Sequence, residues 1–166
     1  MNKDYHLHMV ESDADIDLFW QYRDRYMHED IIPHSSEPLS EEDQDWFFSQ
    51  EYKDVIMEAF YRDTHVLRIV FFRKNGRNIG FAVYVIYHAE EGKCLIVDYC
   101  VDEAYRNKGI GTHFFQKLRE HTVKEGAKYY ALNLSNEGNK RFWERNGFRE
   151  AGKDEHGDTV YVYHNE

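Results

Sequence analysis

The sequence predicts one α+β domain over residues 1–166, with antiparallel strands at its centre. Three β-branched and aromatic runs, 66–72, 79–87 and 94–101, follow one another with only short turns between them. Segments with helical periodicity come before and after these runs. No repeat, linker or low-complexity stretch interrupts the chain, so we expect the elements to share one core.

The composition is that of a folded globule. Hydrophobic residues make up 42% and aromatic residues 16% of the chain, enough for a core without disulfides or metal. The N-terminus lacks the apolar stretch of a signal peptide, and the longest apolar run, Ile79 to Tyr87, is too short to span a bilayer. Cys94 and Cys100 lie on one predicted strand and so cannot pair with each other. We therefore expect a cytoplasmic protein without a membrane partner.

The net charge of −10 speaks against nucleic acid as a partner, since phosphate binding requires a basic surface. An acidic surface would favour a cationic substrate, or it would merely keep the protein soluble. No metal site is predicted, because His6 and His8 share a face of the first strand without a third ligand at a recognisable spacing.

The N-terminal third is predicted to begin with a strand over 5–10, followed by a helix. Ser12 or Asp13 can cap this helix, whose apolar positions continue to about His28. Residues 29–39 are predicted to form a loop.

A second helical region begins at a capping sequence. Ser40 precedes three acidic residues and the aromatic run 46–48, and helical character resumes over 55–61 after a break near Glu51. Aromatic residues of the first third stand among acids; these are Trp20, Tyr22, Tyr26, Trp46 and Tyr52 beside Glu29, Asp30, Glu41, Glu42 and Asp45. Together they suit an ammonium group through cation–π and charge pairing, or else the aromatics are core and the acids a solvated face.

Two of the central strands form a predicted hairpin, and the third leads into a helix. Asn75-Gly76 lies between the runs 66–72 and 79–87, and Asn-Gly is a hairpin turn signal. Residues 94–101 form the next strand. The following helix is marked by the spacing of Gly111, Phe114, Phe115, Leu118 and Thr122, with Gly126 just past its end.

The loop between this strand and helix suits an anion. The first helical N–H groups lack intrahelical partners and lie at the positive end of the helix dipole. Gly109 and Gly111 have no Cβ, so a phosphate can approach their backbone, and Arg106 and Lys108 add two cations. A dinucleotide fingerprint would require a third glycine where Phe114 stands. An ordinary tight turn is the alternative.

The C-terminal part alternates between strand and helix. The run 129–134 is typical of a strand, and a helix follows over 137–146 with Gly147 after its end. A last hairpin is predicted over 148–153 and 159–163.

Asp98 is the one carboxylate within the apolar run from Cys94 to Val101. A carboxylate on a central strand is costly unless it is paired or faces a polar cleft, and burial would raise its pKa toward the range of a general base. We therefore predict Asp98 as the catalytic residue. The alternative is a structural aspartate bonded to backbone N–H groups.

Two segments resemble the motifs of the GNAT superfamily of N-acetyltransferases. Residues 101–111, VDEAYRNKGIG, resemble motif A, [QR]-x-x-G-x-[GA]. Residues 136–148, NEGNKRFWERNGF, resemble motif B, N-x-x-A-x-x-[FL]-Y-x-x-x-G-F. The motifs come in the family's order, and the resemblance covers roughly the last hundred residues. Asn139 and Trp143 depart from motif B, which has Ala and Tyr at those places.

The resemblance implies a mixed, mostly antiparallel sheet flanked by helices on both faces, with acetyl-CoA as co-substrate, no metal, and the N-terminal third as one wall of the acceptor site. Tyr99, Cys100 and Val101 would pair with the pantetheine. The pyrophosphate cradle would comprise Arg106, Asn107, Lys108, Gly109, Ile110, Gly111 and Thr112, and the pantetheine arm would lie along Asn133, Asn136, Asn139 and Phe142. For the asparagines, turn and capping chemistry is the alternative.

The implied function is transfer of an acetyl group from acetyl-CoA to a primary amine of a small molecule or peptide, within a ternary complex. The protein would be a monomer or homodimer. The alternative is a non-catalytic acyl-CoA sensor or regulatory module, favoured by Trp143, because an indole has no proton to give a leaving thiolate. Tyr99, Tyr130 and Tyr161 are candidates to replace the missing tyrosine; otherwise the thiolate leaves unprotonated or takes its proton from water.

Overall fold

Seven strands form one sheet in the computed structural model, which describes residues 4–35, 37–134 and 137–165, with the backbone alone at 137 and 138. They are β1 (Tyr5–Met9), β2 (Leu67–Lys74), β3 (Arg77–Tyr87), β4 (Lys93–Val101), β5 (Tyr129–Asn133), β6 (Arg149–Lys153) and β7 (Thr159–His164). Their order is β1-β2-β3-β4-β5-β7-β6. The β4–β5 pair is parallel and the other pairs are antiparallel. The mixed, mostly antiparallel sheet is confirmed.

Helices cover both faces of this sheet, as predicted. They are α1 (Asp13–Tyr26), α2 (Ile32–His34), α3 (Glu41–Phe47), α4 (Gln50–Phe60), α5 (Ile110–Lys124) and α6 (Glu137–Arg145). On one face, Phe19 of α1 packs in a buried cluster with Phe71 and Phe81. On the other, Phe114 of α5 packs with Phe72. No helix within the described ranges is both long and apolar enough to cross a membrane.

Serine caps fix where the first helices begin. Ser12, Ser40 and Ser49 each accept a hydrogen bond from the backbone N–H three residues further on. Ser12 and Ser40 were predicted from the sequence. The break predicted near Glu51 is wrong by a few residues, because Ser49 starts α4 at Gln50.

The prediction of a loop over 29–39 is wrong at its start. The helix continues through a π-helical turn, Met27–Ile31, and then through α2. Pro33 lies in α2 and has no backbone N–H to donate to the preceding π-helical turn. This extension carries Asp30 toward the loop that follows β4, and it forms part of the site described next.

Candidate active site

The parallel strands β4 and β5 separate after a short paired stretch. Their ladder consists of three pairs, and the last joins Leu95 to Ala131. Beyond it, the described residues of the two strands form no further pair. The backbone of the second half of β4 therefore borders a cleft, and an extended ligand can pair with such a strand edge.

A β-bulge at Val97 decides which way the side chains of β4 point. Val83 of β3 pairs with Asp98 and the next residue, Tyr84, pairs with Ile96, so Val97 is the extra residue. Because side chains alternate along a strand, the bulge moves Asp98 to the sheet face opposite Ile96. Asp98 thereby faces α1, although the uninterrupted alternation would place it with Ile96 on the α5 face.

A cavity of about 580 Å³ lies at the cleft, between β4, the 106–112 loop, α6 and the segment from α1 to α2. We call it the loop cavity. The predicted site residues in its wall are Tyr99, Cys100, Val101, Arg106, Asn107, Gly109, Gly111, Thr112, Asn139 and Phe142. Lys108, Ile110 and Asn133 are not in this wall, and Asn136 lies outside the described residues.

The start of α5 presents uncapped backbone N–H groups to the loop cavity. Gly109 is its N-cap residue with a left-handed φ of 77°, and no side chain caps this helix, in contrast to the serine-capped helices. A Cβ on Gly111 would lie 2.8 Å from the Phe142 ring, so Gly111 also allows α6 to approach α5. The Tyr99 hydroxyl donates a 2.5 Å hydrogen bond to the Gly111 carbonyl and joins β4 to the same turn.

The cations of the loop are arranged differently from the prediction. The Arg106 guanidinium donates two 2.9 Å hydrogen bonds to the Asp30 carboxylate and a third, of 2.6 Å, to the Val101 carbonyl. Lys108 donates to the Ala104 carbonyl at 3.1 Å on the exposed side of the loop. Arg145, an exposed residue of α6, lines the cavity instead. Its position three residues after Phe142, on the same helical face, was the sequence signal for it.

Asp98 lies in a second, smaller cavity of about 200 Å³, which we call the Asp98 cavity. Both cavities have Tyr26, Ile31, Tyr99 and Asn139 in their walls, so they adjoin across these side chains. Burial raises the pKa of Asp98 from 3.8 to about 6, and the positive charge of Arg23 opposes this rise. No hydrogen bond to the Asp98 carboxylate occurs among the described residues, which argues against the structural alternative.

The N-terminal third supplies aromatic side chains, but not its acids, to the Asp98 cavity. Tyr26, Phe47 and Tyr52 lie in the wall, together with Arg23. The acids Glu41, Glu42 and Asp45 are exposed and lie outside this wall. Helical spacing places Arg23 on the apolar side of α1 with Ile16 and Phe19, which was the sequence signal for its burial, but no role at a site was predicted for it.

The tyrosines proposed to replace the motif B tyrosine lie in different surroundings. Tyr130 shares a 2.6 Å hydrogen bond with Thr122 inside the core, and Tyr161 is buried in the same core. Trp143 lines the Asp98 cavity but is itself 5% exposed. Tyr26, which is not among these candidates, borders both cavities. Burial, reinforced by the charge of Asp98, raises the pKa of Tyr26 well above its ordinary value.

Asn133 lies in the wall of the Asp98 cavity rather than the loop cavity. Its side-chain amide donates to the Asp154 carboxylate at 3.1 Å and to the Thr159 carbonyl at 3.2 Å. These bonds hold the end of β5 against the β6–β7 turn, in agreement with the alternative of turn chemistry for this asparagine. Asn139 lines both cavities.

Residues 20–148 match the sequence model of the acetyltransferase (GNAT) family. No curated protein matches the chain significantly. Similar solved structures include the PaiA N-acetyltransferase of Thermoplasma acidophilum in complex with coenzyme A (16% identity, 97% of this chain and 99% of that one, TM-score 0.67). Another is the Salmonella typhimurium acetyltransferase that modifies the N-terminal serine of ribosomal protein L7/L12 (14% identity, 98% of this chain and 96% of that one, TM-score 0.67). N-acetylglutamate synthase from Neisseria gonorrhoeae, with coenzyme A and N-acetyl-glutamate, matches over 98% of this chain and 35% of its own (16% identity, TM-score 0.64). At these identities the likeness shows the fold alone.

Proposed function

Because the chain belongs to the GNAT family of acetyltransferases, we propose that it moves an acetyl group from acetyl-CoA to a primary amine by direct transfer in a ternary complex. The single observation that carries this proposal is the junction of the two cavities. One contains an uncapped helix start whose N–H groups suit an anion, and the other contains a carboxylate with a raised pKa. Tyr26 and Tyr99 lie in the walls of both cavities.

The pyrophosphate of acetyl-CoA binds in this proposal at the start of α5. The N–H groups of residues 109–112 hold the phosphates, and Arg145 adds a positive charge. The Lys108 side chain is bonded to the Ala104 carbonyl and is not used. The pantetheine lies in the cleft between β4 and β5, paired with the backbone of residues 99–101 and packed against Phe142. This places the thioester near the border of the two cavities.

Asp98 acts as the general base for the incoming amine. It takes one proton from the ammonium group, and the free amine nitrogen then attacks the thioester carbonyl carbon. A C–N bond forms and the C–S bond breaks, with its electron pair leaving on sulfur. As the amide forms, the nitrogen releases its second proton to solvent and the thiolate gains one proton. Asp98 then gives its own proton to solvent, so the products are the N-acetyl amine, CoA and one proton.

Tyr26 is proposed to donate to the leaving thiolate, since none of the hydrogen bonds among the described residues occupies its hydroxyl. Its raised pKa keeps it protonated at neutral pH. Tyr26→Phe retains the ring that packs on Phe81 and should lower kcat by roughly 100-fold, with little change in acetyl-CoA affinity. Steady-state kinetics and calorimetry measure the two effects. A variant with wild-type kcat would exclude Tyr26 as this donor.

The acceptor is proposed to be a small-molecule or peptide amine. The Salmonella protein acts on a protein N-terminus, and the Neisseria structure contains N-acetyl-glutamate, so both acceptor classes occur on this fold. A non-catalytic acyl-CoA sensor is the second candidate, because Trp143 occupies the motif B tyrosine position and is packed into the core.

Thermal unfolding with acetyl-CoA, CoA and NAD tests the ligand class first. A ligand at a hundred times its Kd adds about 2.7 kcal/mol to the free energy of unfolding, so acetyl-CoA and CoA should raise the Tm and NAD should not. Release of free CoA in the presence of a panel of amines then separates enzyme from sensor. Absence of any shift with CoA species would contradict both candidates.

A further inference from the structure

Arg23 places a buried positive charge in the wall of the Asp98 cavity. It is only 2% exposed and lies on α1. Its guanidinium carbon is 4.5 Å from the centre of the Tyr52 ring. Three further aromatic rings lie within 5.9 Å; they belong to Trp20, Phe47 and Phe48. Aromatic faces stabilise a cation, but they do not replace the anion that a buried guanidinium requires.

The contacts of Arg23 leave part of its guanidinium available. Nη1 donates to the Phe47 carbonyl and lies 3.4 Å from the carboxylate of Asp24, whose side chain is 40% exposed. Nε and Nη2 have no carbonyl or carboxylate partner among the described residues. The guanidinium also interacts with the Tyr52 hydroxyl, which carries no negative charge to compensate it. Burying an arginine whose one ion pair is long and solvent-exposed lowers the stability of the folded protein. A ligand carboxylate would compensate it, since carboxylates match the guanidinium fork with two hydrogen bonds.

Asp98 supplies the opposite charge in the same cavity. Arg23 and Asp98 both line it but form no direct ion pair. Arg23 nevertheless opposes the rise in the pKa of Asp98, so the two charges influence each other across the cavity. A ligand that spans them must therefore be positive at one end and negative at the other.

We infer that the acceptor of this chain is a small free amino acid, with its amine at Asp98 and its carboxylate on Arg23. This inference rests on the proposed acetyl transfer and names the substrate class. The cavity volume of about 200 Å³ suits a small acceptor, since drug-sized ligands occupy about 300–1,000 Å³. A diamine or polyamine is disfavoured, because its second ammonium group would meet Arg23. The acidic surface residues that would attract such a cation lie outside the cavity.

Paired acceptors test this inference on the wild-type protein. Each pair consists of an amino acid and its decarboxylated amine: alanine with ethylamine, leucine with isopentylamine, and phenylalanine with phenethylamine. For at least one pair, kcat/KM should be roughly 100-fold higher for the amino acid. When the decarboxylated amine is bound instead, Arg23 has no carboxylate partner. Preference for the amines in every pair, or preference for spermidine over all amino acids, would overturn the inference.

Two arginines on α1 provide a matched pair of variants. Arg23→Gln should raise KM for the amino acid and remove most of the preference over the amine. Arg25→Gln removes an equal charge that pairs with Asp102 and lies outside the Asp98 cavity, and should leave the preference unchanged. Retention of the preference in a folded Arg23→Gln protein would contradict the assignment. If that variant does not fold, the same preference is measured with Arg23→Lys, and the acceptor pairs on the wild-type protein still test the inference.

Binding separates failure of this inference from failure of the proposed function. With CoA bound, the amino acid of a preferred pair should raise the Tm of the wild-type protein further, and its amine should not. Binding of CoA without this additional shift from any of the amino acids would overturn the inference and leave the proposed function intact. No stabilisation by CoA itself would instead contradict the proposed function.

Discussion

Asp98→Asn is expected to lower kcat by about 10²–10⁴-fold, the usual contribution of a positioned general base, while acetyl-CoA affinity is retained. The amide is similar in shape but cannot accept the ammonium proton. Asp98 lies in the smaller cavity and not in the wall of the loop cavity, so the cofactor contacts should persist. Steady-state kinetics of acetyl transfer and calorimetry with acetyl-CoA measure the two quantities separately.

The pH profile gives the same prediction a second readout. Only the ionised carboxylate accepts a proton, so kcat/KM should rise with pH and level off above about 6, the raised pKa of Asp98. Ionisation of Asp98 raises kcat/KM but lowers the free energy of unfolding. Because folding raises this pKa from 3.8, the folded state binds the proton more tightly, and Asp98 lowers stability as pH rises through 3.8 to about 6. Asp98→Asn should lack this loss and remain folded at neutral pH.

Asp102→Asn is the matched control for this variant. Asp102 follows β4 directly, pairs with Tyr22 and Arg25, and lies outside both the loop cavity and the Asp98 cavity. Its substitution should leave kcat and the pH profile close to those of the wild type. Asp98→Asn with undiminished kcat across this pH range would exclude Asp98 as the base.

Gly109→Val is expected to weaken acetyl-CoA binding by about 100-fold or more, as for the loss of two hydrogen bonds to a charged phosphate at about 1.5–3 kcal/mol each. Gly109 has a φ of 77° at the uncapped start of α5, and a β-branched residue is strained in this conformation. Relief of that strain would turn the first N–H groups away from the anion. Calorimetric titration with acetyl-CoA measures the change.

Gly76→Val separates loss of the cradle from loss of stability. Gly76 has a φ of 78° and lies in the β2–β3 hairpin turn. A Cβ added at Gly76 would meet no atom within 4 Å, and the same holds for Gly109. Both variants should therefore lose a similar amount of stability, roughly 1–2 kcal/mol. Only the Gly109 variant should lose acetyl-CoA affinity, and equal affinities in the two proteins would show that the start of α5 does not hold the cofactor.

Local patterns in the sequence were sufficient for most elements. Asn75-Gly76 has positive φ at both positions, as the predicted hairpin turn requires. Ser12 and Ser40 cap their helices, and Gly126 follows the end of α5 with a φ of 105°. In each case the signal and its consequence lie within a few residues of each other. The motif resemblance also led to the family and to most residues of the loop cavity.

Features that depend on pairing between distant segments were not predictable in this way. The π-helical turn at Met27–Ile31 brings Asp30 to Arg106, an ion pair between residues far apart in the chain. This contact occupies the guanidinium that the motif resemblance assigns to the pyrophosphate cradle. Helical spacing places Arg23 on the apolar side of α1, but it contains no sign that Arg23 faces Asp98. The aromatic rings around its guanidinium come from the packing of α3 and α4 against α1.

By itself, the sequence determined the succession of strands and helices along the chain, the glycine loop and the family, because these follow from propensity, spacing and motif. The tertiary structure alone decided on which face of the sheet the functional side chains lie. The bulge at Val97 turns Asp98 toward α1 and Arg23, and it separates Cys94 and Cys100 onto opposite faces of the sheet. A bulge arises from the register between β3 and β4, and one extra residue reverses the face of every side chain that follows it.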